Sequence, residues 1–350
     1  MPDRPHLPVH APPEGPAPLP SPGAPLLVAA GYLNLDIVAR VPHLPRGDER
    51  VTALAIRRGL GGMAANVAAA AAALGAPYPV RAELVSAVGA DPDGDWLLAG
   101  LRKRSIGTEG IARGAEGTTC RCLILVEADG RRAIVSEPLG FPKELLRRRI
   151  ERGDPAGAPP ALYLDGYRIP DSLPAAERAR ALGWTVALDL DGLAADRLTP
   201  AGFDHLFGAV DVLFLNRATA RVIWPGVPWH DAGRLSTAAA EFAMILGRLR
   251  GRVSDGGGAT VLLTLAEDGV LVADAGGGCR HVPATRVTPV DTTGAGDVFA
   301  GAFLAAWLHR APADEAARFA AAAAALAIGR EATERTPPTG VAVVSLLPRS

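Results

Sequence analysis

Cysteine is scarce in this chain, three among 350 residues, which is too few for a disulfide framework. Cys120 and Cys122 alternate along an expected strand, 119–127, so both thiols lie on one face. No further ligand follows them closely in sequence, which leaves two small half-buried thiols rather than a zinc site. A surplus of either charge is also missing: 36 Lys plus Arg stand against 37 Asp plus Glu, for a formal net charge of -1. That balance argues against a partner such as nucleic acid or an acidic membrane surface. The cluster Arg147-Arg148-Arg149 with Arg152 reads as a solvated helix face. The longest apolar run near the C-terminus, 319–329, is too short to span a bilayer. The first residues lack the positive start and apolar middle of a signal peptide. A cytoplasmic protein is the expectation.

What the chain does contain is an alternation of short apolar strands and amphipathic helices from Pro25 onward. Its length and its 49% hydrophobic content suffice for one large α/β core or two smaller ones. Ahead of that core, residues 1–25 hold 10 of the 31 prolines and almost no large apolar residue. Such a stretch forms neither helix nor sheet ladder, so a disordered tail is expected there. Strands are expected over 26–30, 82–88, 161–164, 185–189, 212–215 and 260–264. Helices are expected over 64–74, 95–104, 175–182, 234–249, 295–309 and 314–328. Near-continuous apolar strands between helices mean a parallel sheet buried on both faces. Six alanines at 68–73 and six more at 320–325 sit inside helical patterns, where alanine favours helix and permits close packing.

Two stretches, 48–57 and 118–136, break that rhythm by alternating apolar and polar residues without a helix. The second reads as a hairpin, 118–127 and 131–136, about the turn Ala128-Asp129-Gly130. A small sheet folded over the open edge of the main one accommodates both insertions. Such a lid excludes water from whatever it covers. Its wet outer face makes it the expected surface of a homodimer.

The run Val290-Asp291-Thr292-Thr293-Gly294-Ala295-Gly296-Asp297-Val298-Phe299-Ala300-Gly301 joins an extended segment to an apolar helix. Gly294, Ala295 and Gly296 let backbone N–H groups come close to a ligand. The first turn of a helix adds unpaired donors and a positive dipole end, which suit anionic oxygen. Asp297 then lies within reach of whatever that anion is bonded to. An anion cradle beside a carboxylate base is the equipment of phosphoryl transfer. By itself the run is equally well a tight turn with Asp297 as a helix cap.

A second Gly-rich helix start, Gly59-Leu60-Gly61-Gly62-Met63-Ala64-Ala65-Asn66, contains G-x-G-x-x-A, the pattern of dinucleotide-binding oxidoreductases. That fingerprint follows a buried apolar strand, whereas residues 51–58 alternate and end in Arg57-Arg58. The other reading has Gly61 and Gly62 admit a small polar ligand to the backbone, with the Asn66 amide one turn into the helix. Asn34 and Asp36 share one face of an extended segment after the first strand and add an amide and a carboxylate. Together these are good partners for vicinal hydroxyls. Taken singly, Asn34 and Asp36 equally fit a strand-to-loop cap, and Asn66 a polar residue bonded to its own backbone.

Set together, these motifs resemble the ribokinase-like, or PfkB, family of carbohydrate kinases. The C-terminal signature is matched over 291–304 and the N-terminal one at Gly61-Gly62, Asn66, Ala68 and Gly75. The resemblance covers about residues 26–345, with a lid from about 36–60 and 115–137. It implies a three-layer α/β/α core with a mostly parallel sheet and a small β-sheet lid. It further implies ATP-dependent phosphorylation of a hydroxyl on a small sugar (ketohexose, pentose or related), or on a nucleoside, with magnesium as cofactor. By position, Asp297 resembles the base, and the backbone of Gly294, Ala295 and Gly296 the anion hole. Asn34, Asp36, Gly61, Gly62 and Asn66 resemble the sugar-binding set. Asn216, Thr264, Ala266, Gly269 and Thr293 fall on the nucleotide side. Asp291 and the Thr293 carbonyl fall where members hold a monovalent cation such as potassium.

The departures are specific. The Gly expected about ten residues after Gly75 is replaced by Gly89, which implies a short insertion around 78–81. Thr219 stands for the Glu of an Asn-x-x-Glu motif linked to magnesium, leaving Asp189 and Asp191 as outer partners of the ion. That loss also admits a non-catalytic sugar-binding relative. Ala266 replaces a Gly, and the cation-loop Gly is missing around Glu331-Ala332-Thr333, which counts against potassium. The lid segment and Tyr167-Arg168 are the expected specificity elements. The stretches 187–191 and 290–299 are most similar to ketohexose-type and sulfosugar kinases.

Overall fold

Runs of Leu, Val and Ala with no polar side chain to solvate fold into strands buried on both sides, and the amphipathic runs between them cover the two faces. The computed structural model describes residues 23–114, 117–127, 130–156, 159–193, 199–229, 235–250, 258–274, 278–329 and 336–347. The expected tail over 1–22, Ala128-Asp129, Arg234, the side chain of Arg168 and Glu331-Ala332-Thr333 lie outside the described residues.

The first half contains β1 (Leu26–Ala30), β2 (Asn34–Arg40), β3 (Ala55–Gly61), α1 (Met63–Leu74), β4 (Arg81–Gly89), α2 (Pro92–Lys103), β5 (Ile106–Gly114), β6 (Arg121–Val126), β7 (Arg132–Ser136) and α3 (Lys143–Arg152). There follow β8 (Ala161–Leu164), α4 (Ile169–Ala181), β9 (Thr185–Asp189), α5 (Pro200–Ala209), β10 (Val212–Asn216), α6 (Arg217–Ile223) and α7 (Leu235–Arg250). The chain continues with β11 (Thr260–Thr264), β12 (Val270–Ala273), β13 (Cys279–Val282), α8 (Ala295–Leu308), α9 (Ala313–Ile328) and α10 (Gly340–Leu346).

Among the described residues the main sheet has nine strands in the order β13-β12-β11-β10-β9-β8-β1-β4-β5. From β5 through β11 neighbouring strands run parallel, and β12 and β13 add an antiparallel edge. The alternation of β1 divides the core: Leu27 and Ala29 enter the layer under α1, α8 and α9, while Leu26, Val28 and Ala30 enter the layer with α3, α4 and α7. The expected three-layer α/β/α architecture is therefore present. Among the described residues no helix is long and apolar enough to cross a membrane.

The alanine runs have a mechanical purpose. Buried Ala64, Ala65 and 68–71 of α1 meet α8, which buries 298–306. A Cβ on Gly301 would lie 2.6 Å from the Val67 carbonyl oxygen and 2.9 Å from the Ala70 Cβ. The two helix backbones can approach this closely only without side chains between them. Gly301→Val should therefore cost at least about 1–3 kcal/mol through overpacking, read as a lower midpoint in denaturant unfolding. An unchanged midpoint would contradict the close contact.

The small sheet has the order β3-β2-β6-β7. The expected alternating segment 48–57 is strand only from Ala55, and its partner is β2. Pro42, Pro45 and Gly47 punctuate the connection and keep 41–54 out of the ladder. Arg121–Val126 and Arg132–Ser136 pair antiparallel, as expected for the hairpin. Cys120 and Cys122 are buried rather than half-buried, and the Cys120 thiol donates to the Glu137 carbonyl at 3.1 Å.

The arginine cluster also needs correction. Arg147 and Arg148 pair with Glu144 on the exposed face of α3, but Arg149 is only 6% exposed. Its guanidinium donates to Glu83 on β4 and to the Gly153 carbonyl, and lies 5.7 Å from the Trp184 ring centre.

Candidate active site

Parallel strands deliver their C-terminal ends to one edge of a sheet, and ligands bind outside that edge. Here the edge carries Tyr32 after β1, Asp165 after β8, Asp189 and Asp191 at the end of β9, Asn216 closing β10 and Thr264 closing β11. The small sheet stands beside it. Its register aligns Asn34 with Gly61 and Asp36 with Gly59, which puts Asp36, Val38, Arg40, Arg57 and Ile124 on the side toward the cleft.

Asn34 and Asp36 are strand residues rather than caps. The Asn34 amide donates to the Asp36 carboxylate at 2.6 Å. That carboxylate lies across Gly61, where any Cβ would fall 2.3 Å from it. Gly62 has φ 102° and backs onto the Tyr32 carbonyl, so a side chain at either position would push the sheet and the helix apart. Helix α1 then begins without a side-chain cap. One turn in, Asn66 turns away from its own backbone and its amide donates to Asp297 Oδ2 at 2.8 Å. Positions 231 apart in sequence meet here.

Asp297 stands in the first turn of α8. The preceding Gly294 adopts a left-handed conformation, φ 71° and ψ 10°, and no side chain caps the helix. Gly294, Thr293 and Asp291 line the same cleft as Asp36 and Asn66. Ala295 departs from its expected place in the anion hole: its N–H donates to the Thr292 carbonyl at 3.2 Å to close the turn. Gly294 and Gly296 are left as candidate backbone donors.

The electrostatics are governed by carboxylates withdrawn from water, Asp165 and Asp189 buried and Asp36 and Asp297 half-buried. Burial pushes the Asp297 carboxyl up to about 7; the Asn66 hydrogen bond opposes this, and the charges of Asp191, Asp165 and Asp36 add to it. Burial raises Asp36 to about 6, with Asn34 pulling the other way. Asp189 is buried behind them and is held well above the ordinary carboxylate range by burial first, with Asp191, Asp297 and Asp165 contributing. Asp165 accepts the Tyr32 N–H at 2.6 Å. The Tyr163 phenol, fully buried, is raised by burial and then by four of these carboxylates. Sequence reasoning passed over Asp165 and Tyr163. The available signal was a carboxylate ending a wholly apolar strand just before Gly166.

A family model described as pfkB family carbohydrate kinase matches residues 24–340. The chain belongs to that family. This kinase is 31% identical over 326 residues to an ATP-dependent ribose-1-phosphate kinase of Halopiger xanaduensis, covering 92% of this chain and 97% of the relative. It is 29% identical over 315 residues to a ribokinase of Haemophilus influenzae, covering 89% and 95%. Among solved structures, the ribokinase of Giardia lamblia superposes with a TM-score of 0.76 at 22% identity, covering 93% of this chain and all of that one. That likeness shows the fold. It is a carbohydrate kinase of the sugar- or nucleoside-phosphorylating kind, and its relatives support the use of ATP. The dinucleotide pattern at 59–64 begins within β3, the partly exposed edge strand of the small sheet, and so lacks the preceding buried strand that a dinucleotide site requires.

The residues expected on the nucleotide side have local structural roles of their own. Asn216 caps α6, its amide oxygen accepting the Thr219 N–H at 2.8 Å, and buried Thr219 brings no carboxylate. The Thr264 hydroxyl turns into the sheet and donates to the Leu215 carbonyl at 3.2 Å. Ala266 holds φ 53°, the left-handed conformation that suits the Gly it replaces, and Gly269 holds φ 94°. Asn216, Thr264, Ala266 and Gly269 lie outside the cleft lined by Asp36 and Asn66. Asp291 accepts the Thr293 N–H at 2.8 Å in a turn of its own. Among the described residues no three His, Cys, Asp or Glu side chains gather to hold an ion. The described side chains alone therefore supply no ready-made cage for a divalent ion, and the loop expected to complete a potassium site, 331–333, lies outside the described residues.

Proposed function

We propose that this kinase moves the terminal phosphoryl group of ATP to a hydroxyl of a small sugar or sugar derivative, with Asp297 as the base. The observation that carries the reading is the Asn66–Asp297 hydrogen bond, which sets the sugar-side helix start against the phosphate-side one. A hydroxyl held by Asp36 and Asn34 would have Asp297 on its other side. A base poised near neutral pH accepts the hydroxyl proton as the O–P bond forms. Backbone N–H groups of Gly294 and Gly296 and the positive end of α8 would meet the growing phosphoryl charge. Positioning supplies most of the acceleration, since a loose phosphoryl transition state asks little covalent chemistry of the protein. Magnesium would arrive with ATP, held by its phosphates and water. The proposed kinase domain spans 26–345, with the small sheet, about 36–60 and 115–137, as lid. Exposed Ile56, Leu123 and Val135 on the sheet's outer face support a homodimer formed there.

ADP release, measured with ATP and a panel of pentoses, ketohexoses, their monophosphates, sugar acids and nucleosides, tests the reading. Turnover with at least one is expected. The loss of the Asn-x-x-Glu carboxylate at Thr219 favours one competing reading, a sugar-binding protein without turnover. Sugar binding with no ADP from any substrate would establish that alternative.

A further inference from the structure

The cleft that carries Asp36 and Asn66 has a cation in its wall. Arg104 lines it together with Leu60, Ala69 and Gly294. The residue follows α2, and its side chain folds back along the helix, with Nη1 donating to the Gly100 carbonyl at 3.1 Å. The position is fixed by the backbone: the Arg104 N–H donates to the Leu101 carbonyl, and Ser105 takes the left-handed conformation, φ 59°, that usually falls to Gly after a helix.

Other arginines withdrawn from solvent in this molecule have an acidic partner. Arg81 pairs with Asp154, Arg149 with Glu83 and Arg217 with Asp268. Among the described residues no carboxylate pairs with Arg104. Burial alone acts on its guanidinium, lowering its pKa. A half-desolvated cation without a counter-charge is costly, and its planar donors match the oxygens of a phosphate or carboxylate. A neutral sugar would meet Asp36 and Asp297 and leave this cation unanswered.

We propose that the phosphoryl acceptor is a sugar bearing a fixed anionic group, a phosphomonoester or a carboxylate, and that Arg104 binds that group. The inference rests on the kinase reading above and narrows its substrate class. The acceptor then lies with a hydroxyl toward Asp297 and its anion toward the α1–α2 wall. Arg104 would be a specificity-determining residue, distinct from the proposed proton-transfer group.

Two measurements decide it. Initial rates of ADP release are compared for D-ribose, D-ribose 1-phosphate, D-ribose 5-phosphate and 2-keto-3-deoxygluconate, with native protein, Arg104→Gln and Arg104→Lys. Titration calorimetry measures binding of the same compounds without requiring turnover. An anionic compound should exceed ribose in kcat/KM by at least about 100-fold. Arg104→Gln should weaken that compound by roughly 10- to 100-fold, chiefly in KM and Kd, as loss of charge-assisted hydrogen bonds implies. The loss should be several-fold smaller for ribose, and Arg104→Lys should recover part of the binding. Preference for a phosphorylated sugar identifies a phosphate, and preference for the keto acid a carboxylate. Ribose used or bound as well as every anionic compound would overturn the proposal, as would Arg104→Gln acting equally on all sugars or on the KM for ATP. If no sugar yields ADP, the kinase reading fails, and the calorimetry still decides for or against Arg104.

Discussion

Asp297→Asn is expected to lower kcat by about 10²- to 10⁴-fold, the contribution of a positioned general base, while making the folded protein more stable. Asn keeps the shape, and its amide can still meet Asn66 after a flip, so sugar and ATP should bind as before. The stability gain follows from the same burial that tunes the base. Asp297 is raised from 3.8 to about 7 on folding. Between those values the folded state holds a proton that the unfolded chain has released, so stability falls as pH rises from about 4 to about 7. Removing the ionisable group should restore on the order of 1–2 kcal/mol at pH 8, a figure reduced because the side chain is only half-buried. The gap between variant and native protein should narrow toward pH 4. In the native enzyme, kcat/KM should climb through about pH 7 as Asp297 ionises. Denaturant unfolding at pH 5 and pH 8, beside steady-state rates, checks both halves. Full turnover in the variant would remove Asp297 from the chemistry, and an undiminished acid limb would do the same for its titration.

The second large effect lies far from the cleft. Glu83→Ala should destabilise the fold by about 3–5 kcal/mol, because it leaves the Arg149 guanidinium buried without its counter-charge. Arg149 side-chain exposure is 5%, against 23% for Glu83. The two ends of the pair are therefore unequal. Arg149→Met keeps most of the packing under Trp184 and leaves a carboxylate that water can still reach, so it should cost distinctly less. Midpoints of chemical unfolding for the two variants measure the difference. Equal losses, or a Glu83→Ala cost below about 1 kcal/mol, would mean that water reaches the guanidinium after all.

That pair also illustrates what a sequence can and cannot carry. Three consecutive arginines look like a wet helix face, and for Arg147 and Arg148 they are. Only the Glu83 side chain, 66 positions earlier, makes Arg149 different, and no local pattern announces it. The central strands were legible because burial on both faces demands unbroken apolar runs such as Leu26–Ala30 and Val212–Asn216. Strand β5 was not, since Ile106–Gly114 carries three glycines and pairs on one side only, at the edge of the sheet. Hairpin strands β12 and β13 were missed because they add an antiparallel edge that the alternation of strand and helix does not call for. In the candidate site, Gly61-Gly62 and Gly294 could be read directly, because close approach and a left-handed turn exclude other residues. Asn66 and Asp297 could be suspected separately. Their hydrogen bond is a product of tertiary structure, as is the convergence of Asp165 and Asp189 near Asp297.

The seam between α1 and α8 acts as a gauge block. Asn66 and Asp297 stand near the leading ends of two rods whose spacing is set by Gly301 against Val67 and Ala70, where no side chain gives the contact any play. A change of acceptor within this lineage would therefore be expected in the parts proposed to meet the acceptor without sharing that seam, namely the small sheet and the tail of α2. The curated relatives of this chain bear names as different as ribose-1-phosphate kinase, ribokinase and nucleoside kinase. An architecture that clamps one dimension and leaves its cover interchangeable offers a physical route to such variety.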